Sequence, residues 1–177
     1  MKIRRARPAE APAIHALIAG YAAQGLLLPR TPEQIRAAMR DFLVAHDSGR
    51  VMGCAALEFY GPRRGGLAEV RSLAVAPEAR ETGLGGRLLE AAVKRARRQG
   101  AVRVFAVTRA AEFFERHEFS RAPGGIPEEK VARDCTSCPK AAGCRLQALS
   151  RDLAPAPSPQ MLNVLAPGRL RRAPAPA

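Results

Sequence analysis

The sequence predicts a mixed α/β fold, with one sheet that has both antiparallel and parallel parts. Three strand-like segments follow one another between residues 42 and 76, and sequential strands of this kind usually pair antiparallel. From Gly83 the apolar period changes from 2 to 3.6 residues, which predicts a long amphipathic helix that ends at Gly100. A compact strand at 102–107 follows, and a strand–helix–strand unit places its two strands parallel.

The first third of the chain has clear start and stop signals. A strand is predicted at residues 3–7, followed by a helix at 9–21 that ends before Gly25. Residues 31–34 read Thr-Pro-Glu-Gln, which is a capping box with Pro in the first helical position, so a second helix begins here. We expect the apolar side of this second helix to hold Ile35, Ala38, Met39 and Phe42.

The later elements alternate between the two periodicities. Strands at 42–46 and 51–60 should form a hairpin, because the Ser-Gly pair between them suits a tight turn. A second turn at 61–66 leads to a strand at 68–76, and a short helix is expected at 110–117.

Composition and charge narrow the class of function. The chain carries 29 Lys and Arg against 16 Asp and Glu, a net charge of +13, but these cations are spread along the chain and only 5% of the residues are aromatic. No base-stacking platform is recognisable, so we do not expect nucleic acid to be the main partner. No segment approaches the roughly 20 apolar residues of a membrane span, which argues against a membrane protein. With no signal-peptide pattern and only four Cys, we expect a cytoplasmic protein.

The composition changes near residue 154. Residues 1–153 have the composition of a globular domain, which includes a Cys-rich segment at 134–144. Residues 154–177 are rich in Pro and Ala and carry only basic charges. We therefore predict one domain at 1–153 and a basic tail that cannot bury enough apolar area to order itself.

A glycine-rich turn carries the most specific chemical signal. The strand that ends near Pro77 is followed by Arg80-x-x-Gly83-x-Gly85-Gly86 and then by the amphipathic helix. Backbone N–H groups at a helix N-terminus attract anions, and glycines let the main chain approach a phosphate closely. The spacing matches neither the dinucleotide motif nor the P-loop. The turn predicts a phosphate site of another kind, with a glycine-rich helix start that binds nothing as the alternative.

Two segments together resemble one enzyme superfamily. Val75-x-Pro77 followed by Arg80-x-x-Gly83-x-Gly85 and a helix is similar to the acetyl-CoA pyrophosphate motif of the GNAT superfamily of N-acetyltransferases, and residues 112–119 are similar to its late Phe-Tyr-x-x-x-Gly-Phe segment. The resemblance implies a GNAT-like acyl-CoA N-acyltransferase fold with splayed central strands and acetyl-CoA as co-substrate. The acetyl-CoA contacts that it implies are Leu73, Ala74, Val75, Arg80, Glu81, Thr82, Gly83, Leu84, Gly85, Gly86 and Arg87.

Three further segments resemble a narrower group. Residues 25–31 (GLLLPRT), 68–75 (AEVRSLAV) and 127–139, which contains Cys135-x-x-Cys138, are similar to the short, single-domain N-acetylglutamate synthases. That group implies acetyl transfer to the α-amine of L-glutamate, giving N-acetyl-L-glutamate at the entry to arginine biosynthesis. Transfer to another amine, and a non-catalytic acyl-CoA- or nucleic-acid-binding module, are the alternatives.

The chain departs from the superfamily pattern at two positions. Phe114 stands where many GNAT enzymes have a Tyr that protonates the leaving thiolate, so another group or water must serve. Glu118 stands where a Gly is expected, and we expect a positive φ there. Residues 145–153 fit a helix by the spacing of their leucines, whereas the resemblance implies a final strand, which we adopt.

The strand from Glu69 supplies candidate acceptor-side residues. An amine nucleophile is mostly protonated at neutral pH, so Glu69 is the candidate base. Arg71 and Arg30 are candidate ligands for the substrate's carboxylates, because a guanidinium matches a carboxylate bidentately. Ser72 is placed with them on the acceptor side. A structural ion pair between Glu69 and Arg71 is the alternative.

Strict alternation along this strand makes a further prediction. It places Glu69, Arg71, Leu73 and Val75 on one side of the sheet, and Val70, Ser72 and Ala74 on the other.

The Cys-rich segment has an open role. Cys135, Cys138 and Cys144 supply three thiols, whereas tetrahedral zinc takes four ligands, so a zinc site requires His117 or Cys54 to be brought near. A packed thiol cluster or a redox-sensitive pair are the alternatives. The sequence leaves the oligomeric state open, with a homodimer among the possibilities.

Overall fold

A computed structural model describes residues 1–61, 66–136, 138 and 143–153. These residues form one seven-stranded sheet in the order β1-β2-β3-β4-β5-β7-β6. The strands are β1 (Lys2–Arg5), β2 (Phe42–Asp47), β3 (Arg50–Tyr60), β4 (Leu67–Val75), β5 (Arg103–Thr108), β6 (Ser120–Arg121) and β7 (Gln147–Asp152). Strands β4 and β5 pair parallel and the other neighbours pair antiparallel, which confirms the predicted mixed α/β sheet. The predicted tail at 154–177 and most of the predicted turn at 61–66 lie outside the described residues.

Helices cover both faces of the sheet. They are α1 (Ala11–Ala23), α2 (Pro32–Ala37), α3 (Leu84–Arg98), α4 (Ala111–Glu115) and α5 (Glu128–Lys130), which continues as a π-helical segment, Val131–Cys135. Ile14, Ile18 and Ile35 of α1 and α2 pack on one face of the sheet, and Leu84, Leu88 and Leu89 of α3 pack on the other. None of the helices in the described part of the chain is long and apolar enough to cross a membrane.

The second helix begins as predicted and ends early. The Thr31 hydroxyl accepts from the Gln34 N–H at 3.2 Å, and the Gln34 side chain accepts from the Thr31 N–H at 2.9 Å, so the capping box is confirmed. Helix α2 ends at Ala37, however, so the prediction that it holds Ala38, Met39 and Phe42 is wrong, although Met39 and Phe42 are buried in the same cluster as Ile35. Arg95 of α3 donates to the carbonyl oxygens at positions 40 and 41, and the chain is extended from Phe42 onward.

Strand β4 contains a bulge that the alternation rule does not foresee. Ser72 has a φ of +53°, and two residues of β4, Ser72 and Leu73, stand opposite the single residue Ala55 of β3. The extra residue shifts the alternation. Val75 therefore packs in the α3 core, while Ala74 packs on the α1 and α2 side. The prediction that Leu73 and Val75 share a side with Glu69 and Arg71 is wrong for this reason.

The central strands splay apart. Strands β4 and β5 pair only as far as Glu69 and Phe105, although β4 continues to Val75 and β5 to Thr108. The splay that the fold class implied is thus confirmed, and it leaves the second half of β4 without a partner on its β5 side.

The final segment settles the ambiguity at 145–153. It is a strand, β7, which pairs antiparallel with β5 over six residues from Gln147 to Asp152. Glu118 has a φ of +64°, which confirms the positive φ expected at this position. Strand β6 and the helical segment 128–135 were not predicted, because both are too short to show a period.

Candidate active site

A cleft of about 630 Å³ opens where β4 and β5 diverge. Its walls bring together six of the predicted residues, which come from two segments of the chain: Arg30, Glu69, Arg71, Ser72, Leu73 and Val75. Gly85 of the glycine-rich turn lies at the same cleft. Ala74, Leu84 and Gly86 are instead buried in the packing around the cleft. Arg80 lines a neighbouring cavity with Tyr21.

The glycine-rich turn presents a row of unoccupied backbone donors. Arg80 N–H donates to the Pro77 carbonyl and Arg87 N–H to the Gly83 carbonyl, but the N–H groups of residues 81–86 donate to no acceptor in the described part of the chain. Three of these belong to the first turn of α3, where no intrahelical partner exists. The positive φ values of Glu81 (+63°) and Gly83 (+74°) curl the chain here. Such a nest of donors at a 15-residue helix favours a phosphate or another anion.

The three glycines of this turn have different roles. Gly83 is the helix N-cap, and it adopts a left-handed conformation that costs other residues about 1 kcal/mol. A Cβ on Gly86 would lie 2.5 Å from Cε1 of His117, so this glycine is required by packing. A Cβ on Gly85 would lie 3.4 Å from the Phe113 ring, at the cleft wall. Only Gly85 therefore fits the sequence-based idea that a missing side chain makes room for a ligand.

The two arginines that flank the turn are directed away from the nest of donors. The Arg80 guanidinium lies over the Tyr21 ring, 5.1 Å from its centroid, and the Tyr21 hydroxyl donates to the Val75 carbonyl at 2.9 Å. Arg87 donates to the carbonyl oxygen of Met1 at 3.0 Å. The remaining turn residue with a side-chain contact, Thr82, donates to the Ala79 carbonyl at 2.8 Å.

Glu69 lies in a buried cluster of polar groups. Its side chain is only 4% exposed, and its Oε2 atom accepts from Lys130 Nζ at 2.9 Å. The Tyr60 hydroxyl lies 2.8 Å from the same Oε2 and 2.6 Å from Oδ2 of Asp134, which also accepts from Lys130 at 3.0 Å. Glu69 Oε1 accepts from no donor among the described residues, so one carboxylate oxygen remains available to a molecule in the cleft.

The cluster fixes the protonation of two of its members. Burial and the Glu69 charge raise the pKa of Tyr60, so the phenol keeps its proton at neutral pH. Burial alone would raise the pKa of the Asp134 carboxyl, but the hydrogen bonds from Tyr60 and Lys130 outweigh it and hold that pKa below its ordinary value. Asp134 is therefore ionised, and its side chain is 24% exposed.

Arg71 is paired, although with a different acid from the expected one. Its Nη1 lies 2.5 Å from Oε2 of Glu58, 3.4 Å from Asp134 and 4.0 Å from Glu69. The alternative of a structural pair between Glu69 and Arg71 is thus the weakest of these three contacts. The other two guanidinium nitrogens, Nη2 and Nε, donate to no acceptor that the structure describes, and Arg71 lines the cleft.

Arg30 is a half-buried cation that has no ion-pair partner among the described residues. Its guanidinium lies at the cleft and makes no hydrogen bond with any residue described in the structure. Burial and the nearby charge of Arg71 lower the pKa of Arg30. Glu58, Glu69 and Asp134 balance Arg71, Lys130 and Arg133, so Arg30 leaves this group one positive charge in excess. The cleft can accept an anion.

The Cys-rich segment does not form a metal site in the described residues. No group of three His, Cys, Asp or Glu side chains that could hold a metal ion occurs among them. Cys54, a suggested fourth ligand, donates to the Ser72 carbonyl, and burial raises the pKa of its thiol to about 12. His117, the other suggestion, packs against Gly86 and Phe113. Cys138 and Cys144 line the cleft.

Comparison with known proteins identifies the family. Residues 38–121 match the acetyltransferase (GNAT) domain. The chain is 41% identical over 142 residues to an uncharacterized N-acetyltransferase of Chlorobaculum tepidum, a match that covers 80% of this chain and 90% of that protein. This chain belongs to the GNAT acetyltransferase family.

Other relatives of this GNAT acetyltransferase are named by their substrate. The amino-acid acetyltransferase of Neisseria meningitidis is 36% identical over 123 residues, which cover 69% of this chain. The chain spans only 28% of the length of that relative. N-acetylglutamate synthase from Neisseria gonorrhoeae, solved with coenzyme A and N-acetyl-glutamate, superposes with a TM-score of 0.76 at 32% identity, over 86% of this chain and 35% of that one.

Several residues in or beside the cleft of the acetyltransferase were not assigned from the sequence. Tyr60 and Lys130 join Glu69 from other segments, and Arg145, which is exposed, lines the cleft together with Thr108. Lys130 lies in the segment at 127–139 that carries the narrower resemblance, which was the one signal for it. Tyr60, Thr108 and Arg145 lie at strand ends or in an irregular segment, where the spacing of residues does not predict which way a side chain points.

Proposed function

We propose that this acetyltransferase transfers the acetyl group of acetyl-CoA to the α-amine of L-glutamate, giving N-acetyl-L-glutamate for arginine biosynthesis. The observation that carries the proposal is Arg30, a half-buried cation that has no acid partner among the described residues, in a cleft that also holds the carboxylate of Glu69. An acceptor with carboxylates supplies the missing negative charge. The similarity of the chain to an N-acetylglutamate synthase further supports the proposal.

Acetyl-CoA would bind on the side of the glycine-rich turn. The N–H groups of residues 81–86 are suited to its pyrophosphate, because they form a nest of donors at a helix N-terminus. The edge of β4 from Leu73 to Val75, which is unpaired toward β5, is suited to the amide groups of the pantetheine arm. The thioester would then lie in the splay between the two strands, beside Glu69 and Thr108.

Glutamate would bind through its two carboxylates. Arg30 offers a whole guanidinium, and Arg71 offers the two nitrogens that its acids leave unused. Arg145, which no described acid pairs, is a further cation at the cleft. Charge-assisted contacts of this kind contribute about 1.5–3 kcal/mol each.

The reaction would need one base and one acid. Glu69 would take a proton from the ammonium group, directly or through water; the free amine would attack the acetyl carbonyl, a C–N bond would form and the C–S bond would break. Phe114 cannot protonate the departing thiolate. The acceptor nitrogen has a second proton to lose, and Thr108 is suited to take it up while passing its own proton to the thiolate, because its Oγ1 accepts from the Ala110 N–H at 3.0 Å and its own proton has no acceptor in the described structure.

The test is acetyl-CoA-dependent thiol release with a panel of amines. We expect turnover with L-glutamate and a rate at least tenfold lower with L-glutamine, which lacks the second carboxylate. Equal rates with both, or turnover only with peptides or aminoglycosides, would contradict the glutamate assignment. Acetyl-CoA binding without turnover of any amine would indicate a non-catalytic module.

A further inference from the structure

The phenol of Tyr60 links two carboxylates, so that Glu69, Tyr60 and Asp134 form a line of successive contacts. Oε2 of Glu69 lies 2.8 Å from the Tyr60 oxygen, and Oδ2 of Asp134 lies 2.6 Å from the same oxygen, with Lys130 Nζ 3.4 Å from it. Both carboxylate distances are hydrogen-bond distances, yet a phenol carries only one proton. With both carboxylates ionised, only one of the two contacts can therefore be a hydrogen bond. One more proton in the line would complete both.

The charged groups around Tyr60 are suited to a site of proton transfer. Lys130 donates to both carboxylates and Arg133 donates to Asp134 Oδ1, so the two negative charges are held close together. Glu58 and Arg71 pair with each other at the edge of the group. The Arg133 guanidinium lies over the Tyr60 ring, 3.7 Å from its centroid, and the Phe105 ring, which does not titrate, packs with its centroid 5.5 Å from that of Tyr60.

The two ends of the line face different environments. Glu69 lines the cleft and its side chain is 4% exposed, so while the substrate fills the cleft a proton on Glu69 faces the substrate and not bulk water. The Asp134 side chain is 24% exposed, about six times as much. Asp134 is thus the member of the line that can exchange protons with solvent.

We propose that Tyr60 and Asp134 form a proton relay that returns Glu69 to its ionised state after each turnover. This inference rests on the proposed role of Glu69 as the base. The substrate N–H bond breaks and an O–H bond forms on Glu69; a half-turn of the carboxyl group brings this proton to the phenol. The phenol accepts it while its own proton passes to Asp134 Oδ2, and Asp134 then gives a proton to water. Tyr60 and Asp134 are positioning and relay residues, because neither lines the cleft.

Tyr60→Phe tests the relay, because it removes the bridging oxygen and keeps the ring that packs against Phe105 and under Arg133. With the amine that the wild-type enzyme acetylates, we expect kcat to fall roughly 10- to 100-fold and the KM for that amine to stay within about twofold of wild type. Added imidazole buffer should restore part of the lost kcat in a concentration-dependent way, since a small buffer can carry the proton from Glu69. Asp134→Asn should behave in the same way.

Tyr21→Phe is the matched control, because it removes a hydroxyl from the cleft wall outside this line. Its kcat should not respond to imidazole. A Tyr60→Phe enzyme whose kcat is unchanged would overturn the relay, and so would one whose kcat is low but insensitive to imidazole at every pH. If that variant does not fold, the same two outcomes in Asp134→Asn would overturn the relay. Wild-type turnover of another amine would reject only the glutamate assignment, since the relay is measured with whichever amine is turned over. No turnover of any amine would reject both.

Discussion

Lys130 and Glu69 are 61 positions apart in the chain and form an ion pair that is almost fully buried, with Nζ 2.9 Å from Oε2. A buried pair contributes little over an apolar replacement, but the loss of one partner leaves the other charge without compensation. Lys130 also donates to Asp134 at 3.0 Å. This one amine therefore links the candidate base on β4 to the segment that follows α5.

Lys130→Met should destabilise the protein strongly. Removing the ammonium group leaves two carboxylates without their cation. We therefore expect a loss of about 3–5 kcal/mol in the free energy of unfolding, measured by urea denaturation. Lys94→Met is the control, because Lys94 is exposed on α3 and the substitution should stay within about 0.5 kcal/mol. Equal effects of the two substitutions would show that the buried pair has no such role.

Glu69→Gln should depress kcat about 100-fold or more at neutral pH, because the amide cannot take a proton from the ammonium group. The deficit should narrow as the pH rises, since more of the acceptor is then already a free amine. Thiol release measured across pH tests this. Glu58→Gln is the control, because Glu58 lies directly opposite Glu69 on β3, and its pH profile should keep the wild-type shape. A constant deficit for Glu69→Gln at all pH values would exclude it as the base.

Arg30→Gln should lower kcat/KM for glutamate about 10- to 100-fold, the effect of losing one charge-assisted contact of roughly 1.5–3 kcal/mol. The KM for acetyl-CoA should stay near wild type, and the protein should not lose stability, because Arg30 has no acid partner among the described residues. Arg36→Gln, in an exposed pair on α2, is the control and should leave kcat/KM for glutamate, the KM for acetyl-CoA and the stability unchanged. Equal losses for both substrates would contradict the assignment of Arg30 to the acceptor.

The lowered pKa of Asp134 predicts how its contribution depends on pH. A carboxyl whose pKa is lower in the folded than in the unfolded chain stabilises the fold above the unfolded value, about 3.9 for Asp, and loses that contribution as the pH falls. Asp134→Asn should therefore cost about 2 kcal/mol near pH 7, and less as the pH drops below about 4. Urea denaturation at several pH values measures this. Asp152→Asn, in an exposed pair with Arg103, should cost less than about 1 kcal/mol at pH 7.

Gly86→Ala should destabilise the protein by about 1–3 kcal/mol, because the new methyl group meets the His117 ring at 2.5 Å. Combining it with His117→Ala should recover part of that loss, and a double-mutant cycle in urea would show the coupling. Gly20→Ala in α1 is the control; no atom lies within 4 Å of its Cβ position, so it should stabilise by up to about 1 kcal/mol. Additive effects of Gly86→Ala and His117→Ala would show that the ring is not what requires the glycine.

The sequence by itself determined most of the elements and the fold class. The capping box at Thr31, the change of period at Gly83 and the stop at Gly100 are local signals, and a helix or strand forms where such signals agree with the apolar spacing. The glycine-rich turn and the candidate base were likewise readable, because a turn at a helix start and a carboxylate on a central strand need no distant partner to be recognised.

The tertiary structure decided which residues meet. The bulge at Ser72 moved Leu73 and Val75 to the other face of β4, and no spacing rule reports an extra residue whose only mark is its pairing with Ala55. Tyr60 reaches Glu69 from β3, and Lys130 and Asp134 come from α5 and the segment after it. Arg30 is distinguished by its half-buried place in the cleft without an ion-pair partner among the described residues. Contacts between side chains so far apart in the sequence depend on how the sheet and helices pack. The local sequence determines the position of each side chain on its helix or strand, and the packing determines which other side chains it contacts.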